Sequence, residues 1–185
     1  MRIAPALLAI LCAAASPLAQ EIIEWSAERR LVKDDFRGRA PANAANASLS
    51  WLNIDAAWEC QAGVLITSAR ATFDPSRSWW RTSGGNTWDR RAARQGSLQL
   101  DLQLLEHERL HFDIAETAAR KLRRRFKEFT DACGDADGIE SIGKMVVEVD
   151  RELQEDQERY DRETRHGIDA RAQDRWKRSV AALLK

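Results

Sequence analysis

The chain has 185 residues, room for one domain, and its 29 Lys+Arg and 29 Asp+Glu cancel to a formal net charge of zero. That balance lacks the basic surplus that grips a nucleic-acid backbone or an anionic membrane, which excludes nucleic acid as a first partner. With 44% hydrophobic and 31% charged residues, the composition is that of a globule able to bury roughly two thirds of its unfolded surface, so any metal is there for chemistry and not to hold the fold.

In chain order, Met1-Arg2, the apolar run Ile3 to Ala15 and the small residues that follow read as a secretory signal peptide over 1–19. The run is too short for the ~20 residues of a permanent span, and no later segment reaches that length. Cys12, preceded by Leu11, is read as part of the discarded peptide. Residues 20–185 then form a single domain in the periplasm or outside the cell, and Cys60 and Cys133 remain to form a disulfide there.

A short strand is expected near Ile22–Trp25. Leu52, Ile54, Ala56, Trp58 and Cys60 alternate with polar residues at the period of a half-buried strand, Gln61-Ala62-Gly63 makes a turn, and Leu65, Thr67, Ala69, Ala71 and Phe73 mark the returning strand up to Asp74-Pro75. Ser76 to Gly96 reads as loop. From Ser97 the period becomes helical, with helices expected over about 98–129, 139–160 and 167–184. Ile142, Val146, Val149, Leu153 and Tyr160 mark the inner stripe of the second helix, and Ile168, Ala172, Trp176 and Val180 that of the third. The expected fold is α+β, a small antiparallel sheet followed by a three-helix half.

The first of those helices carries His107-Glu108-Arg109-Leu110-His111, a His-Glu-x-x-His pattern. Two imidazoles one helical turn apart converge on one point, and Glu108, about 100° round, reaches a water on the same ion, the zincin-like arrangement for zinc hydrolysis. A catalytic zinc needs a third protein ligand. Glu116 lies on the far side of an unbroken helix, in a stripe read as the i,i+4 pairs Arg109/Asp113 and Glu116/Arg120. His166, at the junction of the second and third helices, is the favoured third ligand, with Glu163 as its competitor. Tyr160 is read either as an oxyanion donor or as a core tyrosine. Trp79 and Trp80 wall the substrate groove or pack as core.

Leu104-Leu105, His107-Glu108-x-x-His111-Phe112-Asp113-Ile114-Ala115-Glu116 and the later Tyr160-Asp161, Thr164, His166-Gly167, Gln173 and Trp176 resemble the bacterial family catalogued as domain of unknown function 922, described as predicted secreted zinc-dependent proteases. The resemblance covers most of the mature chain and is strongest from Leu104 to Glu116. It implies that His107 and His111 are zinc ligands and Glu108 the catalytic base, with no defined substrate.

The expected activity is that of an exported metallopeptidase holding one Zn2+ on His107, His111 and His166, with Glu108 and Tyr160 catalytic and a peptide or protein substrate laid along a sheet edge. The alternatives are a non-catalytic zinc-containing envelope binding protein and a zinc amidase acting on cell-wall material. Glu108 separates them, because a structural zinc site needs no base. Neither the oligomeric state nor the choice between peptide and wall amide follows from the sequence.

Overall fold

The computed structural model describes residues 21–44, 46–81, 97–129, 133 and 136–185. Its elements in chain order are β1 (Ile23–Glu24), β2 (Ser48–Leu49), β3 (Leu52–Gln61), β4 (Val64–Phe73), β5 (Trp79–Trp80), α1 (Ser97–Phe126), α2 (Ala136–Thr164) and α3 (Ala170–Leu183). The expected signal segment 1–19 and the Gly84-Gly85 loop lie outside the described residues.

The alternating pattern at 52–73 builds the β3–β4 hairpin, in register from Leu52↔Phe73 to Gln61↔Val64, and β1 adds to the other edge of β4. At the hairpin tip Ala62 and Gly63 both have positive φ, the backbone that a two-residue hairpin turn with the right twist requires. Ala69, Ala71 and Phe73 are buried under the helices while Ser68 and Arg70 face solvent, so the period of two decides which face meets the core. Phe73 anchors that core, with Phe36 edge-on to it at 5.1 Å and Phe112 of α1 at 6.1 Å.

β5 appears where loop was expected, and β2 in a stretch for which no element was expected. β2 and β5 pair antiparallel through Ser48↔Trp80 and Leu49↔Trp79. Trp79 is buried and Trp80 packs on Phe36, so the tryptophan pair belongs to the core and does not wall the cleft. A pair of two-residue strands leaves no periodicity for a sequence reading to find.

The helical half follows the expected order with shifted ends. α1 lies across β4 and β3, α2 packs on α1, and α3 packs on both. The inner stripe of α2 is Ile142, Met145, Val149, Leu153 and Tyr160, all buried, with Val146 only partly so. α3 begins three residues later than expected because Asp169 caps it, its side chain accepting from the Ala172 N–H, after a turn that no helix can enter. Among the described residues no helix is long and apolar enough to cross a membrane.

Cys60 and Cys133 form a disulfide with Cα atoms 5.6 Å apart and 73 positions apart in sequence. It ties the far end of β3 to the segment between α1 and α2. In the chain-entropy account such a loop contributes up to about 4 kcal/mol. Cys60 shares the face of Trp58 but is exposed.

Candidate metal centre

His107 and His111 stand one turn apart on α1, and the structure brings them together as their spacing requires: their Nε2 atoms are 3.0 Å apart. The third member comes from α2 and is Asp161. Its Oδ1 lies 3.0 Å from His107 Nε2 and 3.1 Å from His111 Nε2, so the three atoms form a nearly equilateral triangle. Donor atoms on a tetrahedral zinc with bonds of about 2.0–2.1 Å are spaced by about 3.3 Å, close to what this triangle offers.

The outer ring nitrogens are held as well. His107 Nδ1 faces Gln173 Oε1 at 3.3 Å, and that oxygen also accepts from the Tyr160 hydroxyl at 2.8 Å. His111 Nδ1 faces Gln157 Oε1, while Gln157 Nε2 donates to the His111 carbonyl at 2.9 Å and so fixes the amide's orientation. Each neutral imidazole therefore carries its proton on Nδ1 and turns an unprotonated Nε2 toward Asp161, the arrangement that an acceptor on the outer ring nitrogen imposes on metal-binding histidines. Two lone pairs and a carboxylate oxygen meeting at about 3 Å repel one another unless a positive charge sits among them.

The charge count agrees. Of the buried acids, Asp35 takes Arg29 at 2.8 Å, Asp113 takes Arg30 at 2.6 Å, and Glu116 takes Arg120 at 2.9 Å and Arg123 at 2.6 Å. Neither Asp161 nor Glu108 has a lysine or arginine bonded to it among the described residues. Glu108, also buried, accepts instead from the Ser48 hydroxyl at 2.6 Å and the Ser50 hydroxyl at 2.5 Å. Two carboxylates with no lysine or arginine bonded to them among the described residues match the charge of one divalent ion. Burial pushes His107 toward its neutral form and the neighbouring His111 adds to that. Burial works the same way on His111, but Asp161 and Glu108 outweigh it and raise its pKa. Burial works to raise the Asp161 carboxyl, but the two imidazoles against it outweigh that and hold it well below the usual carboxylate range.

His166 adjoins this cluster from outside. Its side chain is 59% exposed and its Nδ1 is 3.3 Å from Asp161 Oδ1, so the structure gives Asp161 the position beside both Nε2 atoms that was expected for His166 and puts the imidazole next to it. It stands on neither helix: Arg165, His166 and Gly167 have φ of +53°, +53° and +79°, a left-handed turn between α2 and α3. Such backbone is costly for residues with a Cβ and persists only where the surroundings impose it. Here the His166 N–H bonds the Asp161 carbonyl at 2.8 Å and the Asp169 N–H bonds that of Thr164 at 2.8 Å.

Neither Glu163, the competitor to His166, nor Tyr160, read as oxyanion donor or core tyrosine, lines the cleft. Glu163 is turned away, its Oε2 accepting from Trp176 Nε1 at 2.7 Å on the far side of α2, and it does not compete for the cluster. Tyr160 is fully buried, stacks on the His107 ring at 4.6 Å and gives its hydroxyl to Gln173, so it backs the histidines and offers no oxyanion donor to the cleft; burial also raises its pKa. On the far face of α1 Glu116 pairs with Arg120 as expected, but Arg109 goes to Glu106 and the Leu31 carbonyl, which leaves Asp113 to Arg30 and Trp25.

The cluster lies at the foot of a cleft of about 280 Å³. One wall is the segment Asn46 to Ser50 with Leu52, the floor is His107, Glu108 and His111, and the other wall is Leu153, Gln154 and Gln157 of α2, with Arg165, His166 and Ile168 closing one end. Fold and site define an α+β protein with a partly buried His-His-Asp donor set and a buried carboxylate beside it in a cleft. It belongs to a known family: the chain is a member of the bacterial proteins of unknown function grouped as DUF922, whose family model matches residues 18–167. No curated protein and no solved structure matches it.

Proposed function

We propose that the protein is an exported zinc-dependent peptidase. The observation that carries the reading is the triangle of His107 Nε2, His111 Nε2 and Asp161 Oδ1 at 3.0–3.1 Å, with both outer ring nitrogens tied to glutamine oxygens. Two imidazoles and a carboxylate are a zinc donor set. His107, His111 and Asp161 would hold the ion, with His166 adjoining as a further donor on an exposed side chain. A bound zinc supplies Lewis acidity toward a water and a carbonyl oxygen.

The chain's own residues do the rest. Glu108 uses two of its roughly four acceptor positions on Ser48 and Ser50, which leaves capacity to take a proton from the attacking water and pass it to the leaving nitrogen. An extended peptide fits along the 46–52 wall: in the antiparallel β2–β5 pair Leu49 faces Trp79, and the backbone groups of Ser48 and Ser50 alternate with it toward the other edge. The cleft walls carry leucine, serine and amide side chains, suited to a polypeptide. The Cys60–Cys133 disulfide belongs to an oxidising compartment, which supports the periplasm or the exterior as its location.

The test is zinc-loaded protein against a mixed peptide library, with Glu108→Gln beside it. The variant should keep its zinc and lose turnover by about 10²–10⁴-fold, the range for a positioned base. Cleavage at equal rates by both proteins, or none by the loaded wild type, would overturn the peptidase reading.

A further inference from the structure

We propose that Ser48 and Ser50 are positioning residues for Glu108, clamping its carboxylate from the strand that forms the cleft wall. The inference rests on the hydrolase reading above and names residues that the His-Glu-x-x-His pattern does not contain.

Ser48 and Ser50 are two residues apart in extended chain, so both side chains leave the same face, and that face meets Glu108. One hydroxyl takes each carboxylate oxygen, Ser48 to Oε1 at 2.6 Å and Ser50 to Oε2 at 2.5 Å. Hydroxyl-to-carboxylate bonds of this length are charge-assisted and strong, and a pair of them, one per oxygen, removes the carboxylate's freedom to turn about its last bond.

The strand that carries them is itself fixed at both ends. The Ala47 carbonyl accepts from the Arg81 N–H at 2.8 Å, the Trp51 N–H donates to Ser78 Oγ at 2.8 Å, and the Trp51 carbonyl accepts from the Asp74 N–H at 3.0 Å. On the opposite face the Arg77 guanidinium lies 3.3 Å from the centre of the Trp51 ring. The two hydroxyls are therefore presented by an anchored backbone.

The choice of donor is informative. Three other buried acids, Asp35, Asp113 and Glu116, each take an arginine, while Asp74 takes the Ser76 hydroxyl and backbone N–H groups of its own turn. An arginine on Glu108 would neutralise it and occupy its lone pairs. Two neutral hydroxyls orient the carboxylate while leaving its negative charge and part of its acceptor capacity in place, which is what a proton acceptor needs and a structural acid does not. The clamp and the cleft wall are one segment, so a peptide seated on that wall lies against the strand that aims the base.

The experiment compares Ser48→Ala, Ser50→Ala and the double variant with the wild type. At full zinc occupancy the double variant should lose about 10–100-fold in kcat with KM changed by less than about threefold, and Ser50→Thr, which keeps the hydroxyl, should return most of the loss. A second readout needs neither zinc nor substrate. In the metal-free protein the double variant should lower the unfolding midpoint, and in a Glu108→Leu background, where no carboxylate is left to clamp, the same two changes should lower it much less. A working wild type whose kcat survives loss of both hydroxyls, or midpoint shifts that simply add, would overturn the clamp alone. A loaded wild type that cleaves nothing would overturn the hydrolase reading and the clamp with it.

Discussion

His107→Ala and His111→Ala are expected to purify without stoichiometric zinc and without peptidase activity, and Asp161→Asn to lose most of its zinc. Each histidine contributes one Nε2 to a triangle of three donors, and a site built from three protein ligands does not retain the ion on two. The losses have different companions. Removing His107 also removes the ring that Tyr160 stacks on at 4.6 Å and one of the two partners of Gln173 Oε1, so the variant should be less stable even without metal. Asp161→Asn keeps the shape of the side chain but removes one of the two negative charges, so its metal-free form should stay folded while its zinc affinity falls. His166→Ala, at an exposed ring beside the carboxylate, should lose less zinc than Asp161→Asn, and Glu163→Gln none, since its carboxylate is bonded to Trp176 on another face. Metal analysis after dialysis ranks the five variants. A ranking with Asp161→Asn full and His166→Ala empty would move the third ligand to the histidine.

Gly167→Ala is expected to lower stability by about 2–5 kcal/mol and zinc affinity with it. Gly167 has a φ of +79°, which costs an alanine about 1–2 kcal/mol. A Cβ there would also stand 2.9 Å from His107 Cβ and 3.0 Å from its Cγ, an overlap with the stem of a ligand and not with a mobile tip. Relief has to come from His107, which is pinned by Tyr160 and Gln173, or from the turn that holds His166. Overpacking of that kind costs about 1–3 kcal/mol, and displacing a proposed zinc donor by a few tenths of an ångström should weaken metal binding about as much as losing the hydrogen-bond partner of its outer nitrogen, some 10–100-fold. Gly63→Ala is the control: its φ of +82° is the same penalty, but nothing lies within 4 Å of the added carbon, so only the backbone share should appear. Denaturant unfolding of the two metal-free variants separates the contributions. Equal losses at Gly63 and Gly167 would show that the contact with His107 carries no energy.

Much of this architecture was legible in the residues because it is periodic. The hairpin followed from alternation between Leu52 and Phe73, and the three helices from apolar stripes whose core members, Val149, Leu153, Ala172 and Val180, are buried as expected. The histidine pair was legible for the same reason, since a spacing of four on a helix puts both rings on one side. The rest of the site is carried by features without a period. Asp161 stood next to a stripe residue and entered only as part of the resemblance, with no role as a ligand, although Gln157, Asp161 and Thr164 continue the inner face of α2 with polar groups where apolar ones would be cheaper. That substitution of polar for apolar along a buried stripe was the available signal. Ser48 and Ser50 lie in and beside a strand of two residues, too short to announce a face. The turn at Arg165 and His166 requires two residues with side chains to take positive φ, a choice that local propensity argues against and that tertiary contacts impose. His166 was expected at a helix junction that carries it to the ion as third ligand, and it stands on a left-handed turn beside the carboxylate.

The central claim is that one zinc ion sits between His107, His111 and Asp161. X-ray absorption at the zinc edge of protein loaded with one equivalent tests it most directly. The account predicts a first shell of nitrogen and oxygen at about 2.0–2.1 Å with the outer scattering of two or three imidazole rings and no sulfur, since both described cysteines are in the disulfide, and predicts that His107→Ala removes that signature. A shell of oxygen alone, or a spectrum unchanged in His107→Ala, would contradict it.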